Sequence, residues 1–136
     1  MAHPKPQNPA LPVLKSSTLN DVNRKMDLAF TQFDKAYTKE VKQLDRTGNQ
    51  AKFQSDLAAS ESRLKSTLDK QATRIPGGGT ALAATLNTRV DSLVNDLRSN
   101  TTVSSKELVR SDQSGAKADV FTFVHDEVSK GDLSLK

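Results

Sequence analysis

Apolar residues recur at a helical interval along most of this chain. Leu19, Val22, Met26, Phe30, Phe33, Tyr37, Val41 and Leu44 follow one another at a mean step of about 3.6 residues, the α-helical period. The spacing predicts a long helix over residues 18–46. Ser16, Ser17 and Thr18 offer capping hydroxyls before it, with Asp21 three residues after Thr18. Gly48 supplies a left-handed stop. A second stripe, Phe53, Leu57, Leu64, Leu68 and Ile75, predicts a helix over residues 49–75, with Asn49 as its N-cap and Ser60 and Ala72 filling small gaps. This stripe is narrow, closer to a coiled-coil seam than to a helix buried on several sides. The link between the two helices is so short that they must fold back as an antiparallel hairpin.

Pro76 halts the second helix, because the residue before a proline avoids the α region. Gly77, Gly78 and Gly79 then make a turn, and Thr80 opens a third helix over residues 80–99 carrying Leu82, Leu86, Val90, Leu93, Val94 and Leu97. Ser104 followed by Glu107 has the form of a capping box for a fourth segment with Leu108, Val109, Val120, Phe121, Phe123, Val124 and Val128. Its centre, Ser111 to Gly115, is polar, so the helix either continues through a weak middle or breaks there. The β-prone run Val120 to Val124 leaves a short strand as an alternative. Gly131 ends the segment, and the last residues are expected to fray.

The first 15 residues belong to none of this. Pro4, Pro6, Pro9 and Pro12 forbid helix, and the last three recur every third residue, the repeat of a polyproline II helix. The expected architecture is therefore all-α: a three- or four-helix bundle over residues 16–136, preceded by an extended N-terminal arm over residues 1–15. The arm is expected to stay off its own helical core and to meet a neighbouring subunit, so Pro6, Pro9, Leu11, Pro12, Val13 and Leu14 are the candidate interaction residues.

Composition narrows the chemistry. The chain has 136 residues, 35% of them hydrophobic and 4% aromatic, which suits one domain with a thin core. With no cysteine and two histidines, disulfides, thiolate chemistry and Cys- or His-rich metal centres are excluded. The net charge is +4, and residues 1–52 carry the surplus, with nine bases against five acids. Weak association with nucleic acid is the alternative that this surplus leaves open. No apolar run approaches the roughly 20 residues of a membrane span. Residues 1–15 hold no secretory pattern, which leads to the expectation of a cytoplasmic protein or a component of an assembled particle.

The remaining motifs each have a plainer use. Gly77-Gly78-Gly79-Thr80 is superficially like a phosphate loop, but lacks the preceding strand and the lysine. His125-Asp126-Glu127 points in three directions on a helix and does not converge on a metal. Met1-Ala2-His3 loses its copper-binding form once Met1 is removed. Glu61 sits near the second stripe and is expected to fix helix register, paired with Arg63 or Lys65. Phe30, Phe33, Tyr37 and Phe53 read as core rather than as a base-stacking platform, and Asn100-Thr101-Thr102 fits a glycosylation sequon by chance. The expected function is a non-enzymatic structural or protein-interaction module with no cofactor and no metal, a self-assembling helical subunit of a filament, virion or surface assembly, joined as a homo-oligomer or filament through its arm.

Overall fold

The computed structural model describes residues 11–99 and 105–136. Its described residues form an all-helical bundle of four helices: α1 (Ser16–Thr47), α2 (Gln50–Ala72), α3 (Ala81–Ser99) and α4 (Ser105–Ser129). Each helix packs on the next, and α4 closes the ring against α1. A two-stranded parallel sheet, β1 (Val13–Leu14) with β2 (Ser134–Leu135), joins the two ends of the described chain.

The stripes that predict the helices are the residues that make the core. Val22, Met26, Phe30, Phe33 and Tyr37 of α1 are buried against Phe53, Leu57, Leu64 and Leu68 of α2 and the leucine and valine stripe of α3. Phe33 and Tyr37 stack at 6.4 Å, and Phe53 tilts against Tyr37 at 6.2 Å. The Tyr37 hydroxyl donates to the Leu97 carbonyl, 3.4 Å across the core. Gly48 takes φ 66° as the C-cap of α1, and the Asn49 side chain accepts the Lys52 N–H at 3.0 Å.

Several boundaries and one connection differ from expectation. Ser16, Ser17 and Thr18 lie inside the first turn of α1, and the N-cap is Lys15, with no side-chain cap bond. The first free amide is served from elsewhere: Ser16 N–H donates to the Lys136 carbonyl at 3.4 Å. The second helix stops at Ala72 rather than Ile75. Tight bonds from Arg74 N–H to Gln71 O and from Ile75 N–H to Ala72 O carry the chain round while Ile75 stays fully buried. α4 is continuous through its polar centre and through Val120–Val124, so neither the break nor the short strand there occurs.

The largest correction concerns the two ends. The C-terminal residues do not fray: Leu133 is buried, and Ser134 and Lys136 donate to the Pro12 and Leu14 carbonyls, both at 2.9 Å. The inner end of the arm also belongs to the bundle's own core, where Leu14 is 1% exposed. The physical reason is that two apolar side chains, Leu14 and Leu133, close the open end of the bundle. Extended backbone on both segments satisfies the polar groups of the two facing edges by pairing.

Candidate interaction surface

One end of the bundle gathers the start of α1, the end of α4 and the sheet. Register pairs Val13 with Ser134 and Leu14 with Leu135. Alternation then fixes the two faces of the sheet. Leu14 turns to the core, while Leu11 and Val13 remain 44% and 47% exposed. Leu135 is 46% exposed at the rim. On α4, Val128 in the last turn and Phe121 seven residues before it share one stripe, and Phe121 is 69% exposed. Lys117, one turn from Phe121, pairs with Asp27 at 2.7 Å, which places that stripe beside α1. Of the six exposed large hydrophobics among the described residues, Val13 and Leu135 lie on the sheet, Leu11 two residues before Val13, Phe121 and Val128 on this stripe of α4, and Leu28 on α1.

Of the residues singled out from the sequence, Leu11, Pro12 and Val13 are exposed at this end, whereas Leu14 is in the core. Pro6, Pro9, the Met1-Ala2-His3 motif, Ser104 and the Asn100 sequon lie outside the described residues. Gly77–Gly79 is an interhelical turn, with Gly77 at φ 79°. His125 is exposed, and its Nδ1 lies 3.8 Å from Asp126. Glu61 is half-buried between Lys65 at 3.7 Å and Arg98 at 3.9 Å, and burial, followed by the neighbouring Asp91 carboxylate, pushes its carboxyl pKa up. The Arg63 partner goes instead to the Ser60 hydroxyl, 3.0 Å away.

Three charged arrangements were not foreseen. Glu40 is buried on α1, and both its carboxylate oxygens face the Ser60 hydroxyl at 3.2 Å. Burial raises its pKa, opposed by that hydroxyl. Its position three residues after Tyr37 places it on the apolar stripe, a signal available in the sequence. A groove of about 300 Å³ beside it is lined by Gln32, Ala36, Ser60, Arg63 and Thr67. At the sheet end, Asp21 accepts from Arg74 at 2.7 Å, Arg24 at 2.5 Å and Lys25 at 3.2 Å, and these cations hold its carboxyl well below the usual range.

The third arrangement joins α3 to α4. Arg89 forks onto Asp119 through Nε at 2.7 Å and Nη2 at 3.1 Å, and its Nη1 lies 4.0 Å from Asp112. Gly115 makes this possible, because a Cβ there would run into the Arg89 guanidinium. The glycine that suggested a break is thus the socket for an interhelical ion pair. Asp112 Oδ2 is buried without a hydrogen-bond partner. Burial pushes the Asp112 carboxyl up to about 6, against the pull of Arg89 and with the help of Asp96 and Asp119.

A raised folded-state pKa means that the folded chain holds this proton more tightly than the unfolded chain does. Its contribution to stability is therefore full below about pH 4 and is lost as pH rises through about 6. Asp112→Asn should be more stable than the parent at pH 8 by about 1–2 kcal/mol, the full shift being discounted for partial solvation. The gain should vanish toward pH 4. Urea unfolding of both proteins across that range measures it, and a gain constant with pH would contradict the assignment.

No helix of the described residues is long and apolar enough to cross a membrane. Comparison with protein-family models, with curated proteins and with solved structures gives no match.

Proposed function

We propose that this chain is a non-enzymatic structural or protein-interaction module, a helical subunit that assembles with copies of itself through the N-terminal arm. The observation that carries the reading is the pair of exposed apolar side chains, Leu11 and Val13, that alternation places together on the face of the arm turned away from Leu14 and the core. An apolar patch gathered in one place marks a contact surface, whereas scattered single residues do not.

The test is a paired substitution that spares the core. Leu11→Lys with Val13→Lys places two charges on exposed positions and leaves Leu14 in place. Light scattering should show the particle mass falling to that of one chain, 14.8 kDa, while circular dichroism stays helical. A double variant that assembles as the parent does would overturn the role of the arm.

A further inference from the structure

The carbonyls of Pro12 and Leu14 both turn toward β2, where they accept from Ser134 and Lys136. In a parallel ladder the backbone groups of successive residues alternate between the two edges of a strand. The N–H and C=O of Val13 therefore turn to the outer edge of β1. Leu11, held extended by the proline that follows it, continues the alternation. Pro12 thus spends its missing N–H on the inner side, and the outer edge keeps the donors of both Leu11 and Val13. Edge strands are commonly blunted with lysine or with a proline that removes an outward donor. This edge has neither, and residues 6–14 carry no charge.

We propose that the outer edge of β1 pairs with the same edge of a second copy, antiparallel, about a two-fold axis at Pro12. The inference rests on the self-assembly reading above and specifies its geometry. With Pro12 opposite Pro12, Leu11 of each copy faces Val13 of the other. Those two pairs are the hydrogen-bonded positions of an antiparallel ladder, each exchanging both of its bonds. The two prolines fall in the non-hydrogen-bonded position, where the absent N–H costs nothing. The side chains of Leu11 and Val13 share one face of the strand. The pairing therefore covers the half-exposed leucine and valine of each copy with those of the other. The edge is self-complementary in hydrogen bonding and in side-chain chemistry, as an isologous contact requires. Lys15 lies three residues from the axis, so the two copies of it are carried to opposite ends of the ladder.

The absence of cysteine from the sequence makes the test direct. Pro12→Cys in the full chain places one thiol on the axis. Opposed Cα atoms in a non-hydrogen-bonded pair are about 4.5 Å apart, within the disulfide range. Ala58→Cys, exposed on α2, is the control for random encounter. Under mild oxidation the Pro12→Cys variant should form its disulfide dimer about tenfold faster than the Ala58→Cys variant, as expected of a held geometry. Light scattering of the parent should give a dimer. A parent that assembles while Pro12→Cys cross-links no faster than Ala58→Cys overturns the two-fold pairing and leaves the assembly reading standing. A parent that is monomeric at high concentration overturns both.

Discussion

Gly78→Ala is expected to destabilise the bundle by about 3 kcal/mol, a value at the upper end of overpacking changes. Gly78 is buried in the turn between α2 and α3. A Cβ at this position would collide with the Ala72 carbonyl oxygen, stand 3.0 Å from the Ile75 carbonyl oxygen and 3.3 Å from the Ile75 Cβ. The first two are backbone atoms and have no rotamer to move into. Ile75 is itself fully buried, so it cannot swing outward without opening the core. The Ala83 N–H also donates to the Gly78 carbonyl at 3.0 Å, so displacing residue 78 loosens the first turn of α3. Gly77→Ala makes an informative contrast. Its Cβ would meet only Phe123, at an ordinary 3.7 Å, and its cost is the left-handed φ of 79°, about 1 kcal/mol. Thermal or urea unfolding of the two variants separates a steric requirement for glycine from a conformational one. Equal losses at both positions would contradict the distinction.

Leu14→Ala should cost about 2–4 kcal/mol, the range for a fully buried leucine. Leu14 is packed in the same core cluster as the helices, yet it is carried by a two-residue strand. Its loss should therefore be felt beyond the cavity. The Leu14 carbonyl accepts from Lys136, and Lys136 in turn accepts from the first amide of α1, so β1, β2 and the start of α1 loosen together. Hydrogen exchange should show lost protection at the Ser134 and Lys136 amides, while the amides midway along α2 stay protected. Leu14→Met, nearly conserving volume, should cost less than about 1.5 kcal/mol. If Leu14→Ala is neutral, the arm's inner end is not a structural part of the bundle.

The helices were legible because each carries its own period. Val22, Met26, Phe30, Phe33 and Tyr37 mark α1 without reference to any other segment, and Asn49 and Gly48 punctuate the hairpin by local backbone chemistry. What could not be read is what depends on pairing between distant residues. Leu133, Ser134 and Leu135 alternate as a strand would, but three residues are too few to announce one, and their partner stands at the other end of the chain. Leu14, next to a proline-rich stretch, read as part of the arm because nothing local ties it to α4. Gly115 read as a weakness of α4 because its role is supplied by Arg89 from another helix. Glu40 was overlooked for a different reason. Its place on the apolar stripe signals burial, but the groups that make that burial tolerable, the Ser60 hydroxyl and the nearby Arg63 and Lys52 cations, come from α2.

The same facts change how the assembly is best probed. Removing residues 1–14 would delete a core side chain along with the arm, so a loss of assembly would be inseparable from a loss of fold. Leu11 and Val13 are exposed, and altering them leaves Leu14 and its hydrogen bonds to the C-terminal strand in place. The charge surplus of residues 1–52 is a separate matter from this surface, since Leu11 to Leu14 carry no charge.

The most direct measurement is the molar mass of the full chain in solution, taken by light scattering over a wide range of protein concentration. Self-assembly through the arm predicts a mass that is a multiple of 14.8 kDa and that falls toward the single-chain value only on strong dilution. A chain that remains at 14.8 kDa at the highest concentration reached would contradict it.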